Sequence, residues 1–554
     1  MDLPAKAGTT NLYDWGERHV MGVEKTRGNG PGFVGQLSTR SYIFLLVALA
    51  VAVMARILFL WRGPLLGSDS LSYYGVAKAV VSSAPQEADV FWHNLFCYWE
   101  AIVIFFGASY YTAVALASFI PGVLLIVPIF LMSHRLFGQG FAFVAALAAA
   151  VHPRLVEYSV NGSIETSYSL CALLGLWGLT SVLGGANGVV WRTAVSGAGL
   201  AAYVLIRNEG LLLFGALFLL VLLYAIKARR ASAVLGMAGG AAVVLLAYFG
   251  ANLAIFHTAG IGQKGSLFLF AQEQRLKSTD FDLHQAAREA YESGVSPERL
   301  PQKPELPLGQ VVWRTVLRYP WYFALSLKDI AKLLMSPIPL FAPFALLICR
   351  RNGTMRACWP SFIACTFPVL FYAVYWPEPR YYFLTLVTLL AFGAAGLLFC
   401  LDWLAGRLRW KTLVPLGVSL VLISHAIVIY PFAAYQGRKS AHFRDVAAWI
   451  TANIPPDVRV TGCRRGCSKV TAFWAHREIS YRMWTPHPDE LVKYCKDTRQ
   501  PVLVLFEEYL RLANPELLPV LEEGLPGMKL LKAFKFPPPG GRVNIYALED
   551  ATPQ

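Results

Sequence analysis

Ionisable side chains lie beside several of the long apolar segments of this chain, where a purely structural protein has little use for charge. Asp69 follows the first apolar segment, in the run Ser68-Asp69-Ser70. A carboxylate at such a place can accept the proton of a hydroxyl group that becomes a nucleophile. The competing interpretation is that Asp69 or Ser68 caps a helix that begins near Ser70.

Further polar and aromatic residues accompany Asp69. Tyr73 and Tyr74 follow it at helix-like spacing, and His93 lies near the end of the same loop, among acidic residues that include Glu100. We expect these residues to contact a substrate, with one acid of the loop acting as a second carboxylate. Glu165 begins the fourth apolar segment, where an acid is also favoured by the helix macrodipole alone.

Two arginines are candidates for binding an anion. Arg380 and Tyr381 follow Trp376-Pro377-Glu378-Pro379, a turn stiffened by proline on both sides of Glu378. The planar guanidinium fork suits phosphate oxygens. Arg207-Asn208-Glu209 forms a turn of only a few residues between two apolar segments. That pair is either a second part of the same site or a snorkelling arginine with its carboxylate partner.

The composition places these residues at a membrane. Hydrophobic residues make up 56% of the 554-residue chain and charged residues 15%, whereas soluble domains carry about 25% charged residues. The net charge of +15 fits the excess of Lys and Arg in the cytoplasmic loops of a membrane protein. Nucleic acid is therefore not an expected partner, and membrane lipids are.

The apolar segments predict an α-helical, polytopic membrane protein with about eleven transmembrane helices, since a span needs about 20 mainly apolar residues. The predicted segments are 42–61, 112–132, 138–157, 166–184, 193–206, 210–226, 232–256, 333–349, 357–375, 381–401 and 412–432.

Basic residues orient the predicted spans. Arg135, Arg192, Arg350 and Arg407 fall in alternate loops, which we assign to the cytoplasm together with a disordered tail at residues 1–40. Residues 41–435 then form the transmembrane catalytic domain, with outer loops at 62–111 and 257–332. Residues 436–554 form a small extracytoplasmic α/β domain. The predicted location is the inner membrane of a bacterium.

Cysteines in the C-terminal domain leave three interpretations open. Cys463 and Cys467 form a C-x3-C pair, with Cys495 downstream. A disulfide suits a domain outside the cytoplasm, unpaired thiols are the second possibility, and a metal site would need more ligands at closer spacing.

Common catalytic signatures are absent from the sequence. It contains no Walker-type glycine loop, no H-E-x-x-H and no G-x-S-x-G. Because ATP is not supplied outside the cytoplasm, a donor used there must arrive already activated on a lipid.

Six short motifs, in order, resemble those of a known family. They are Ser68-Asp69-Ser70 with Tyr73-Tyr74, Phe105-Phe106-Gly107-Ala108-Ser109, Arg135-Leu136-Phe137-Gly138, His152-Pro153 with Glu157-Tyr158-Ser159, Ile206-Arg207-Asn208-Glu209-Gly210, and Pro379-Arg380-Tyr381. The chain resembles the GT-C membrane glycosyltransferases, in the branch of the bacterial protein O-mannosyltransferases and the lipid A aminoarabinose transferase. The resemblance covers about residues 40–400.

The resemblance implies a polyprenyl-phosphate sugar donor and a glycan, lipid or protein acceptor. Asp69 matches the first-loop acid that activates the acceptor, and Arg380, with Arg207, would stabilise the departing phosphate. Transfer would invert the anomeric centre and need no certain cofactor, although Asp69 with Glu165 could hold a divalent cation. Relatives often have proline where this chain has Trp92-His93-Asn94.

Two other classes of function compete with an enzyme. A flippase or transporter for lipid-linked glycans would perform no covalent chemistry, but such proteins commonly show internal repeats and a charge near mid-membrane. No repeat is visible, and the ionisable residues lie at the ends of the segments. A structural subunit that binds cell-wall glycan is the third class.

Overall fold

Long apolar helices make up most of the described chain. The computed structural model describes residues 37–63, 68–82, 95–257, 308–374, 379–408, 410 and 412–462, and then 470–471, 474–475, 479–481, 488–497, 499, 501–513, 515–537 and 541–549. The predicted tail at 1–40, His93, Glu378, Cys463 and Cys467 fall wholly or mostly outside these residues.

Sixteen α-helices of the described chain precede the first strand. They are α1 Thr39–Trp61, α2 Ser68–Val81, α3 Leu95–Phe105, α4 Tyr110–Leu124, α5 Ile126–Phe137, α6 Gln139–Ala150, α7 Pro153–Tyr158, α8 Glu165–Leu183, α9 Val189–Ile206, α10 Gly210–Ala228, α11 Ala231–Phe256, α12 Leu308–Leu334, α13 Ala342–Arg351, α14 Met355–Val374, α15 Phe383–Leu408 and α16 Leu413–Asn453.

The membrane nature of the chain is confirmed, but the count of eleven spans is not. Eight helices of the described part are long and apolar enough to cross a membrane, or nine if one bent pair is a single span. The eight are Thr39–Trp61, Tyr111–Phe137, Glu165–Leu183, Val189–Ile206, Gly210–Ala228, Ala231–Phe256, Pro379–Leu408 and Leu413–Asn453.

Helix breaks explain the difference in the count. The segment predicted at 138–157 divides into α6, of 12 residues, and α7, because Pro153 begins a new helix after His152. The segment at 333–349 belongs to a helix pair bent by 115° between Leu334 and Ile338. Helix α14 contains two prolines and is not among the eight. A span assigned from apolar content alone does not register such breaks.

A side-chain contact connects two of these helix breaks. The imidazole Nε2 of His152 lies 2.8 Å from the carbonyl oxygen of Leu334, the last residue of α12. A carbonyl at a helix end has no partner within its own helix. His152 therefore satisfies one such oxygen at the point where α12 turns toward α13.

The C-terminal region contains the expected α/β fold. Its described strands are β1 Val460–Gly462, β2 Ile479–Tyr481, β3 Val502–Phe506, β4 Met528–Phe536 and β5 Gly541–Leu548, and its helices α17 Pro488–Asp497, α18 Glu507–Ala513 and α19 Val520–Glu523. The sheet order is β2-β1-β3-β5-β4. Strand β1 is parallel to β2 and β3, whereas β5 is antiparallel to β3 and β4.

One helix and one apolar cluster connect this sheet to the membrane helices. Helix α16 has 41 residues and runs through the domain boundary that we predicted at residue 435. Its Phe443 and Val446 belong to a buried cluster with strand β3, and Leu71 and Tyr74 of α2 and Val114 of α4 belong to the same cluster. The C-terminal sheet therefore shares a core with the helices around Asp69.

Candidate active site

The candidate residues lie at one end of the spanning helices. Asp69 is in the first turn of α2 and Glu165 in the first turn of α8. Arg380 belongs to the short 3-10 helix Pro379–Tyr382 that leads into α15. Arg207 ends α9, and Glu209 immediately precedes α10. Each of these residues lies where a helix begins or ends, and a polar side chain can leave the apolar region there.

The structure brings Asp69 and Arg380 into direct contact. The Arg380 Nη1 donates to the Asp69 Oδ2 at 2.5 Å, and the two side chains are 37% and 30% exposed. They are 311 positions apart in the sequence. A charge-assisted contact of this kind is among the stronger hydrogen bonds in proteins, and both side chains remain partly exposed.

The backbone beside Arg380 is fixed by neighbouring hydroxyl groups. The Tyr168 hydroxyl, on α8, donates to the Arg380 carbonyl oxygen at 3.1 Å. The Tyr382 hydroxyl donates to the Ser326 Oγ of α12 at 2.6 Å, and Tyr382 is fully buried. The 3-10 helix is therefore held from two sides, which limits the positions that the Arg380 guanidinium can take.

Tyr73 lies among the charged groups. It is one helical turn after Asp69 and buried, and its ring meets Phe96 of α3 edge-on at 5.5 Å. Burial raises the pKa of Tyr73 well above its ordinary value, the Asp69 and Glu165 carboxylates raise it further, and Arg380 and Arg207 oppose them. Both acids and both arginines thus act on one phenol, which stays protonated and can donate a hydrogen bond.

A tight loop fixes the first turn of α2 against the loop before α8. The Ser70 hydroxyl donates to the Asn161 carbonyl oxygen at 2.8 Å, and the Gly162 N–H donates to the Ser118 Oγ at 3.1 Å. Gly162 has φ of +74°, and a Cβ there would lie 2.3 Å from Val114 Cγ1 and 2.9 Å from Ser70 Cβ. Only glycine fits this position without a shift, and the same loop leads directly to the buried Glu165.

Arg207 and Glu209 form a second, more buried pair. The Arg207 Nε donates to the Glu209 Oε1 at 2.5 Å, and the side chains are 10% and 16% exposed. The Tyr372 hydroxyl also donates to that oxygen, and Arg207 Nη2 lies 3.3 Å from the Tyr372 hydroxyl. Burial by itself raises the pKa of Glu209, but Arg207 and Tyr372 outweigh it and hold that pKa below its ordinary value.

Aromatic rings connect the two pairs. The Arg207 guanidinium lies over the Tyr381 ring at 4.6 Å and the Tyr168 ring at 5.0 Å. Arg380 lies over the same Tyr381 ring at 5.4 Å, and Tyr381 stacks on Tyr372 at 4.6 Å. Tyr381 therefore lies beside both guanidinium groups and links the exposed pair to the buried one.

Tyr74 lies apart from this group. It belongs to the apolar cluster shared with the C-terminal sheet, and burial and the nearby Glu100 raise its pKa. The structure therefore places Tyr73 beside the acids and Tyr74 on another face of α2. Sequence reasoning did not identify Tyr168, Tyr372 or Ser326, because single tyrosines and serines in apolar helices look like packing residues.

The described residues do not offer a resident metal ion a closed set of ligands. No three His, Cys, Asp or Glu side chains converge within that part of the chain. Mg²⁺ prefers six oxygen ligands, but one Asp69 oxygen already accepts from a guanidinium. A dication at that oxygen would be repelled by Arg380.

Comparison with solved structures identifies the fold. No family model and no curated protein matches the chain. The Archaeoglobus fulgidus oligosaccharyltransferase in complex with zinc and sulfate matches with a TM-score of 0.51 at 15% identity, over 91% of this chain and 73% of that one. ArnT from Cupriavidus metallidurans bound to undecaprenyl phosphate matches with a TM-score of 0.52 at 14% identity, over 93% of this chain and 99% of that one. The resemblance predicted from the motifs is thus confirmed at the level of the fold: this chain has the fold of the GT-C membrane glycosyltransferases.

Proposed function

We propose that this protein is a membrane glycosyltransferase that moves a sugar from a polyprenyl-phosphate donor to an acceptor of the cell envelope. The observation that carries the proposal is the partly exposed Asp69–Arg380 contact, which pairs a proton acceptor with an anion ligand. The ArnT structure that shares this fold contains undecaprenyl phosphate, which supports a lipid-linked donor. The alternation of basic loops along the sequence supports a site at the outer face of a bacterial inner membrane.

Asp69 is the residue to which we assign activation of the acceptor. As the acceptor oxygen bonds to the anomeric carbon of the sugar, its proton passes to the Asp69 carboxylate. The bond between that carbon and the phosphate oxygen breaks, and its electron pair leaves with the lipid phosphate. Attack from the side opposite the phosphate inverts the anomeric centre. The proton then leaves Asp69 for water or the released phosphate.

Arg380 is the residue to which we assign the lipid phosphate. The Arg380 side chain is 37% exposed, and we assign its exposed side to contact with the lipid phosphate, because a guanidinium presents several N–H groups to an anion. Negative charge grows on the phosphate as it leaves, and a fixed cation there stabilises the transition state more than the ground state.

The other residues have supporting roles in this proposal. Tyr73 and Glu165 line the site beside Asp69 and bind hydroxyl groups of the sugar or the acceptor. Arg207 is more buried than Arg380 and is already bound to Glu209. We therefore assign Arg207 and Glu209 the positioning of Tyr381 rather than direct contact with the phosphate. Adding a chelator to the transfer assay tests whether a divalent cation takes part.

The decisive experiment supplies the purified protein, in lipid nanodiscs, with radiolabelled polyprenyl-phosphate sugars and a panel of glycan, lipid and protein acceptors. We expect transfer to one acceptor by the wild type. Asp69→Asn should lower the rate by about 100-fold or more, since general base catalysis contributes about 10² to 10⁴. Asp445→Asn, at an exposed acid of α16, is the matched control and should transfer normally.

A flippase would give the opposite pattern. It would move the labelled lipid across the bilayer without forming any glycosylated product. Lipid movement by the Asp69→Asn variant at the wild-type rate, with no product from either protein, would exclude the proposal.

A further inference from the structure

Two cysteine thiols meet in the hairpin that joins α13 to α14. Cys349 lies in the last turn of α13 and Cys358 in the first turn of α14. Their sulfur atoms are 2.8 Å apart, and both residues are buried. Both are free thiols. Since a disulfide bond is about 2.05 Å long, the two sulfurs would need to approach by less than about 1 Å to become bonded.

The hairpin holds this arrangement in place. Gly353 occupies the turn with φ of +68°, and the Thr354 N–H donates to the Cys349 carbonyl oxygen at 2.9 Å. The Thr354 hydroxyl lies 3.3 Å from the Leu136 carbonyl oxygen of α5. The turn is thus fixed both internally and against a neighbouring helix, so the thiols face each other because of the backbone and not through a chance rotamer.

Basic residues lie close to the two cysteines in the sequence. Arg350 and Arg351 end α13, and Arg356 lies in the first turn of α14. The thiolate is the reactive form of a cysteine. The same arginines predict that the hairpin lies at the cytoplasmic face, where the resting state of a cysteine pair is reduced.

We propose that Cys349 and Cys358 form a redox-active dithiol that is oxidised by hydroperoxides and that binds trivalent arsenicals. One thiolate attacks the peroxide and becomes a sulfenic acid; the second thiol displaces its oxygen as water and forms the disulfide. With hydrogen peroxide the balance is two thiols and one peroxide giving one disulfide and two waters. An aryl arsenoxide instead bonds to both sulfurs and releases one water.

This modification would link two elements that reach the candidate site. Helix α13 follows the bend after Leu334, and α14 carries Tyr372, the hydrogen-bond partner of Glu209. A disulfide would fix the ends of these helices that lie far from the site. The proposal does not depend on the proposed sugar transfer and can be tested without it.

The test uses the full-length protein in detergent. The reduced protein is treated with hydrogen peroxide. It is then unfolded in the presence of a maleimide, which blocks the remaining thiols, and it is digested without reductant. Mass spectrometry should find a peptide pair joined through Cys349 and Cys358 that disappears after reduction. In a parallel sample, phenylarsine oxide should protect both cysteines from the maleimide, and a dithiol competitor should restore labelling.

Variants provide the controls. Cys349→Ser should abolish both the linked peptide and the arsenical protection of Cys358, because one thiol binds the arsenical far more weakly than two. Cys365→Ser, at a cysteine further along α14, should change neither result. The proposal is wrong if Cys349 and Cys358 of the wild type remain fully labelled after both treatments.

Discussion

At the scale of single residues, the contact between Asp69 and Arg380 combines two tasks in one place. The guanidinium contacts the carboxylate that we assign as proton acceptor, and a planar guanidinium fork also suits the oxygens of a phosphate. Lysine would preserve the charge without the fork. Lysine at position 380 therefore distinguishes the effect of the positive charge from the effect of the guanidinium geometry.

We expect Arg380→Lys to lower kcat/KM for the lipid donor by about 10-fold, and Arg380→Ala by about 100-fold or more, since lost transition-state donors cost about 10² to 10³. Initial rates over a range of donor concentrations measure both effects. Arg438→Lys, at an exposed arginine of α16, is the control and should be unchanged. Wild-type kinetics in Arg380→Lys would show that the fork does not matter.

The Arg207–Glu209 pair predicts a dependence of stability on pH. Because the folded state holds the pKa of Glu209 below its ordinary value of 4.5, the pair stabilises the protein above that pH. This contribution is lost as the pH falls through the lower, folded-state pKa. Glu209→Gln leaves Arg207 buried without its anion, which costs about 3–5 kcal/mol.

Thermal unfolding in detergent, measured from neutral pH to below 4.5, tests the predicted dependence of stability on pH. Glu209→Gln should unfold at a lower temperature at neutral pH and lose less further stability on acidification than the wild type. Tyr372→Phe removes the hydrogen bonds of that hydroxyl with Glu209 and Arg207 but keeps the ion pair, so part of the acid-dependent loss should remain. Parallel curves for wild type and Glu209→Gln would contradict the assignment.

The types of these residues could be predicted from the sequence, but their contacts could not. Asp69 and Arg380 stand out because charge at a membrane edge is costly. Nothing in the sequence indicates that these two residues, 311 positions apart, are in contact. Tyr168 and Tyr372 escape notice because an aromatic residue in an apolar helix fits packing equally well. Their hydroxyl contacts depend on which helices are neighbours, and sequence periodicity does not specify that.

At the scale of elements, the loop before α8 positions α2, the helix that carries Asp69. Gly162 lies where any side chain would collide with Val114 and Ser70, so α2 approaches the loop as closely as backbone atoms allow. Long helices were predictable from apolar runs. The close approach of α2 to the loop at Gly162 and the bend after Leu334 were not. Both depend on turns, which an average over an apolar window does not detect.

We expect Gly162→Ala to lower the rate of transfer by about 10- to 100-fold, because a displacement of about 1 Å at a catalytic group can cost 10²-fold. The matched control is Gly75→Ala on α2 itself, where a Cβ would meet nothing within 4 Å. Its transfer should equal that of the wild type. Equal activity in both variants would mean that the loop does not position Asp69.

At the scale of the whole molecule, the C-terminal sheet and the catalytic helix share one apolar core. Val446 of α16 and Leu71 of α2 belong to the same cluster. Helix α16, with 41 residues, is about 60 Å long at 1.5 Å per residue. The C-terminal sheet and α2 therefore belong to one core, and α16 continues as a helix through residue 435, where we predicted the boundary between two domains.

Val446→Asp tests this coupling. A charge in the fully buried position should unfold the C-terminal sheet and reduce transfer together, because α2 loses part of its support. Limited proteolysis and the transfer assay report the two effects separately. Ala448→Asp, two residues further on an exposed face of the same helix, should affect neither. Rapid proteolysis of the sheet with full transfer activity would show that the two regions are independent.

The wide separation of Asp69 from Arg380 also has a consequence for biosynthesis. Ribosomes add about 5–20 residues per second, so about 15–60 s pass between the emergence of the aspartate and that of its partner 311 positions later. The contact cannot form during that interval, so a polypeptide that stops short of the arginine lacks the ion pair that connects α2 with the 3-10 helix before α15.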